Sequence, residues 1–334
     1  MHAPDGFLTA GTALATGALS VASVGAAGRA AAAELKDRQI PLAGVAAAFI
    51  FAGQMFNFPV AAGTTGHLIG GALAAILLGP SLGTLVVAIV VVVQALVFAD
   101  GGLTALGYNV LNMAVVPAFG GYALYTLFRR LFPRSAAGVV GATALAAGLS
   151  VVLSAAAFSI QWLFGAAAPV PFDTVFGAMV GVHLLIGIGE AIITALAVSA
   201  VLSARPDLVY GARDLDRTQL QDRTRVSTRV FVIGGVAVAL LMAAVVSQFA
   251  VDNPDGLERV AEDEGFIDTA EEHALGGSVF ADYATSGVGN ESLSLAIAGI
   301  SGTVLTLAVG LGMLGALRAT GSSGRANAPD AAVG

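Results

Sequence analysis

The chain opens MHAPDGFL, and its first two residues carry three nitrogen donors in a row. A free α-amine at Met1, the backbone nitrogen of His2 and the His2 imidazole can close around one metal ion in fused chelate rings. The rings form without strain because the histidine directly follows the terminal residue. Three nitrogens in one plane leave a fourth position for another ligand. A planar four-nitrogen set suits Ni(II) or Cu(II), and Co(II) less strictly. The amine has to be free. Methionine should survive processing here, because the aminopeptidase that removes it prefers small second residues, and any formyl group must come off. The fourth nitrogen has few sources, since only His2, His67, His183 and His273 are histidines. His67 lies in GTTGHLIGG, where glycines let backbones approach closely. The plainer alternatives are an exposed terminal histidine at position 2 and an interfacial histidine bonded to a carbonyl at 67.

A membrane bundle has to position these groups. The 334 residues are 57% hydrophobic and 11% charged, with a mean hydropathy of +0.86. A soluble domain is usually about a quarter charged, so composition predicts an all-α polytopic membrane protein. The absence of cysteine excludes disulfides and thiolate metal sites. The pattern G-x-x-x-x-G-K-[ST] is absent and Lys36 is the sole lysine, so no phosphate-binding loop of that kind exists. A net charge of −7 without a large basic cluster gives no footing for nucleic acid.

Nine apolar stretches can be tested as spans, near 8–28, 40–57, 64–79, 81–99, 108–128, 137–165, 174–203, 230–250 and 291–317. About 20 residues cross a bilayer as a helix. The stretch 64–79 is short, and Gly79-Pro80 interrupts the unit 64–99. Basic residues follow the first, fifth, seventh and ninth stretches: Arg29, Lys36 and Arg38; Arg129, Arg130 and Arg134; Arg205 to Arg229; Arg318 and Arg325. All fall on one side if nine spans cross and the N-terminus is extracytoplasmic, with the C-terminus cytoplasmic. That topology brings His2 and His67 to the same face. The expected organisation is a seven-span part over 1–205, an Arg-rich cytoplasmic linker over 206–228, two further spans with an extracytoplasmic loop over 229–318, and a disordered tail over 319–334.

Other polar residues allow weaker readings. His183 and Glu190 share a face of one span, about 10 Å apart along the axis. Glu190 is expected near the inner end as a structural or partner-facing acid, and His183 as a group hydrogen-bonded within the bundle or supporting the metal site. Asn109, Asn112, Gln54, Asn57 and Thr65 could orient a ligating imidazole through its other ring nitrogen. The loop 251–290 carries many carboxylates and one basic residue, Arg259. It either gathers cations or is acidic merely because basic loops stay inside, the second being favoured for any single carboxylate. His273 in this loop could touch metal, although a lone loop histidine is usually solvated.

MHAPDGFL, GTTGHLIGG, QALVFADGGLTALGYNVLNMAVVP and HLLIGIGEAIITA together resemble the CbiM/NikM family, the substrate-binding S components of energy-coupling factor (ECF) transporters for cobalt and nickel. The resemblance covers most of 1–205. It implies metal ligation by Met1, His2 and His67, the set reached above from coordination chemistry. Ala3 stands where isoleucine is common in that family. The segment VDNPDGLERVAEDEGF resembles the small NikN-type subunit with its PDGLE domain, here fused over 228–318. By implication the chain is no enzyme. It would carry Ni2+ or Co2+ as cargo without a cofactor, and would work with a transmembrane coupling (T) component and separate ABC-type ATPase subunits. Nickel is weakly favoured by the planar nitrogen set and the PDGLE loop. Two rivals stand beside this reading. One is a secondary transporter working without an ATPase, which would predict internal repeats. The other is a membrane metalloenzyme, for which Asp5 is the sole nearby general base, and A-P-D-G looks more like turn chemistry.

Overall fold

The computed structural model describes residues 1–36, 39–61, 63–215 and 226–326. Its elements in order are α1 (Ala10–Glu34), α2 (Gln39–Gln54), β1 (Phe58–Ala61), β2 (Thr64–Gly66), α3 (Gly71–Leu78), α4 (Pro80–Val97), α5 (Leu106–Arg129), α6 (Ala136–Gly165), α7 (Phe172–Ala204), α8 (Thr228–Ala244), α9 (Gly256–Asp263) and α10 (Glu291–Ala326). The fold is that of an all-α polytopic membrane protein. Among the described residues, seven helices are long and apolar enough to cross a bilayer: α1, α4, α5, α6, α7, α8 with its short extension to Phe249, and α10.

Two of the nine predicted stretches do not make full-length helices. The 16 residues of α2 are mostly buried, enclosed by α4 on one side and by α8 and α10 on the other. The stretch 64–79 is helical only over α3. Its first residues form β2, paired antiparallel with β1 across the turn expected at 57–63, and then an irregular run from His67 to Gly70. Gly70 has φ +78°, a conformation that glycine adopts without strain. Eight helical residues span about 12 Å, well short of the roughly 30 Å of a hydrocarbon core. Gly79-Pro80 then turns the chain back. A Cβ on Gly83 would lie 2.6 Å from the Ala75 nitrogen, so α4 doubles closely against α3.

Regular packing holds the rest. α6 and α7 are long, rich in small residues and pressed together, with a Cβ on Gly187 falling 2.5 Å from the Gly148 carbonyl oxygen. Such close approach is how helices associate in lipid, where no hydrophobic force drives them together. α5 contains a π turn over Leu111–Val115, followed by Pro117.

The bundle has chemically distinct ends. Lys36, Arg213 and Arg318 line one cleft with Gly79 and Pro80, and near this end Arg205 pairs with Asp207 at 2.8 Å and Arg129 with Asp214. Gln94 lies 14 residues along α4 from Pro80, about 21 Å away, at the end that holds Met1 and the segment 249–290. The linker residues 216–225, with Arg217, Arg223 and Arg225, and Arg38 lie outside the described residues, as does 327–334. The tail expected to be disordered from 319 is helical as far as Ala326.

Candidate functional site

The N-terminal segment is tied down residue by residue. The Ala3 amide donates to Asn109 Oδ1 and its carbonyl accepts from Asn109 Nδ2, both at 2.9 Å. The Gly102 amide also donates to Ala3, at 3.0 Å. Asp5 caps the start of α5, accepting from the amides of Leu103, Thr104 and Ala105 and from the Thr104 hydroxyl at 2.6–3.1 Å. Asp5 is thus engaged in capping a helix, the turn chemistry that A-P-D-G suggests. The Phe7 carbonyl accepts from Ala167, and Thr9 donates to the Gly165 carbonyl at 2.8 Å. Gly6 has φ +90°, and a Cβ there would fall 2.0 Å from the Thr269 carbonyl oxygen.

This anchoring delivers Met1, His2 and His67 to one place. The Met1 amine donates to His67 Nε2 at 2.7 Å. The rings of His2 and His67 stack with centroids 5.2 Å apart. His67 Nδ1 lies 3.0 Å from the Leu68 carbonyl, which can only accept, so Nδ1 carries the proton and Nε2 offers its lone pair. The His2 amide donates to no other group among the described residues. No three His, Asp or Glu side chains among the described residues form a metal cluster by themselves. The set becomes a cage only when main-chain nitrogens are counted.

The irregular run bearing His67 is non-helical backbone within a membrane protein, tolerable only where protein satisfies it. Gln54 Nε2 donates to the Ile69 carbonyl at 2.9 Å, and the Glu190 carboxylate accepts from the Ile69 and Gly70 amides at 2.7 and 2.9 Å. Glu190 was expected near the opposite end, far from the metal ligands. It lies directly behind His67, because the run dips into the bundle to meet it. His183 donates from Nδ1 to the Met179 carbonyl at 2.7 Å and lines a gap of about 10 Å³ with Met1, His67, Asp255 and Gly256.

The loop between α8 and α10 enters the site. Asp255, the acid of the PDGLE run, is the N-cap of α9 in a complete capping box with Glu258: its Oδ1 accepts from the Leu257 and Glu258 amides. Its other oxygen pairs with the Met1 ammonium and lies 3.6 Å from His67 Nε2. Burial opposes the charged carboxylate, yet the adjacent ammonium and His67 outweigh it and hold Asp255 well below the usual carboxylate range. Thr65 fixes the neighbouring backbone, donating from its hydroxyl to Asn253 at 2.8 Å and from its amide to Pro254 at 3.0 Å. For any single loop carboxylate the expected reading is an acid with no part in metal binding; Asp255 departs from it by standing against Met1 and His67.

His2 is buried, and that burial lowers its imidazole pKa to about 4 despite the opposing charge of Asp100, whose Oδ1 lies 3.3 Å from His2 Nδ1. Its Nε2 meets Gln94 Oε1 at 3.1 Å. A cleft of about 450 Å³ runs outward from His2, His67 and Asp255, past Asp100, Glu258 and Asp282. His273 lines it too, but its Nδ1 accepts from the Leu275 amide, so Nε2 carries the proton and offers no lone pair. Asn112 pairs with Gln161 and does not touch the site.

Sequence reasoning passed over Gln94, Asp100, Asp255 and Tyr283. Gln94 and Asp100 belong to the QALVFADGG block, whose glycine has a local reason: a Cβ on Gly102 would fall 2.2 Å from the Asp5 nitrogen.

Comparison with known proteins agrees with this architecture. Residues 2–208 match the family model described as cobalt uptake substrate-specific transmembrane region, and residues 229–319 match the PDGLE domain. An Archaeoglobus fulgidus protein, provisionally named a fused nickel transport protein NikMN, is 37% identical over 94% of this chain and 98% of its own length. The cobalt transport protein CbiM of Sorangium cellulosum is 35% identical over 54% of this chain and 78% of its own. A crystal structure described as a truncated transition metal transporter superposes with a TM-score of 0.53 at 31% identity, over 60% of this chain and 98% of that one. The chain therefore belongs to the CbiM family of nickel and cobalt transport proteins, with a PDGLE domain joined behind it.

Proposed function

We propose that this protein is the substrate-specific component of an ECF-type ABC importer, and that it captures Ni2+ or Co2+ from the extracytoplasmic side. The observation that carries the reading is the meeting of Met1, His2 and His67, with the Met1 amine 2.7 Å from His67 Nε2. The Met1 amine, the His2 amide and imidazole, and His67 Nε2 supply the nitrogens. The Asp255 carboxylate stands next to them as the charge that balances a cation. Gathering of Lys36, Arg213 and Arg318 at the far end supports an extracytoplasmic N-terminus and a cytoplasmic C-terminus. The metal is cargo. Transport is driven by a separate ATPase acting through a T component, since the sequence has no phosphate-binding loop of the G-x-x-x-x-G-K-[ST] type.

The reading requires a free amine at residue 1 of the mature chain. Purified protein with its native start should bind Ni2+ in isothermal titration, whereas the same protein extended by a few N-terminal residues should show no measurable binding. Equal affinity in both would overturn the ligand set. Uptake by cells that express this chain without any coupling ATPase would favour the secondary-transporter alternative.

A further inference from the structure

Tyr283, in the loop between α9 and α10, closes a ring of polar contacts around His2. Its hydroxyl lies 2.6 Å from Asp100 Oδ2 and 3.0 Å from Gln94 Nε2. Gln94 Oε1 meets His2 Nε2 at 3.1 Å, and His2 Nδ1 faces Asp100 Oδ1 at 3.3 Å. Three of these four contacts have their direction fixed by chemistry. A carboxylate only accepts, so the Tyr283 hydroxyl donates to Asp100. The hydroxyl oxygen is then left to accept from the Gln94 amide nitrogen. That turns the Gln94 carbonyl oxygen toward His2, where it can only accept. His2 must therefore carry its proton on Nε2, and in the neutral ring Nδ1 is left as a bare lone pair. Nδ1 and Asp100 Oδ1 then face each other as two electron-pair donors, an arrangement that a cation resolves.

The geometry points to Tyr283 as a positioning residue, through which the C-terminal domain sets the His2 tautomer and leaves Nδ1 to bind the metal. This rests on the proposed ligand set. A second observation marks the same residues. Among the described residues, only three non-glycines have positive φ, namely Ala99 at 54°, Asp282 at 53° and Tyr283 at 56°. One immediately precedes Asp100, and the others are Tyr283 and its neighbour. Backbone in this region is strained for a residue with a side chain and persists where the surroundings enforce it. Here the Asp282 amide donates to the Phe98 carbonyl at 2.8 Å, and the Tyr283 ring stacks on Phe98 with centroids 5.0 Å apart. The strain is spent on placing one hydroxyl.

The test uses the full-length chain with its native N-terminus. Nitrogen-15 NMR of histidine-labelled, metal-free protein, with the His2 signals assigned by loss in H2A, should show His2 protonated at Nε2 alone. In Y283F, which keeps the stacked ring, the two tautomers should mix, and Ni2+ affinity in isothermal titration should fall roughly 10–100-fold, the usual effect of losing a group that orients a ligand. Q94E supplies an acceptor to His2 Nε2 without Tyr283, so adding Y283F to Q94E should cost far less than Y283F costs alone. A lesion of folding would not be relieved in this way. A wild-type His2 protonated at Nδ1, an unchanged affinity in Y283F, or equal losses in both backgrounds would each overturn the assignment. Failure of the wild-type chain to bind Ni2+ would instead overturn the ligand set, and the NMR measurement would still decide the role of Tyr283.

Discussion

The α6–α7 pair and the 64–79 crossing share one bundle and solve its backbone problem in opposite ways. Each of the two long helices satisfies its own peptide groups and needs only shape from its neighbour, which Gly148 and Gly187 provide. The crossing at 64–79 gives up that self-sufficiency over its first half. It borrows Gln54, Glu190 and the backbone of the distant PDGLE segment to satisfy what is left. The borrowed partners hold His67 and its neighbours, so the irregular segment builds the site, and α7 backs it with Glu190 and His183.

Substitutions can separate the two roles. E190A should have the largest effect, because it leaves the buried Ile69 and Gly70 amides without their acceptor. At about 1–3 kcal/mol for each unsatisfied group, thermal unfolding in detergent should show a loss of roughly 2–6 kcal/mol, together with weakened Ni2+ binding. G187V should also destabilise, by roughly 1–3 kcal/mol through overpacking, but protein that still folds should bind Ni2+ with near-native affinity. Equal loss of affinity in both variants would erase the distinction.

A pH dependence sharpens the comparison at His2, in small steps spread over several pH units. The folded pKa of His2, about 4, lies below its ordinary value of 6.5, so the folded state binds fewer protons than the unfolded state between those limits. Stability of the metal-free protein should therefore fall as pH drops from 6.5 toward 4, by at most about 1.4 kcal/mol per pH unit from this group. H2A should lose that part of the acid sensitivity. Because the neutral ring persists, proton competition for metal at His2 should set in near pH 4, below the range of a free imidazole.

Much of the site was legible in the sequence because coordination chemistry is local at the start of the chain. Met1 and His2 are adjacent, and only three other histidines could complete the set. The basic residues of Lys36, Arg213 and Arg318 gather at one end, as their spacing predicts. What stayed hidden depends on long-range docking. Asp255 looks like its acidic neighbours until the loop folds back onto Met1. Glu190 was misplaced because its depth was judged against straight helices, and the apolar run LIGGALAAILLG looks like one until Gly70 takes a left-handed turn. Tyr283 had no signal of its own, since its importance lies in what a single hydroxyl touches.

The pairing of Met1 with Asp255 joins positions 254 residues apart, and Met1 is only 5% exposed. Any enzyme that trims or caps the front of this polypeptide must finish before its rear portion settles into place. Biogenesis thus acquires an order, with chemistry at the leading residue first and closure by the trailing domain afterwards.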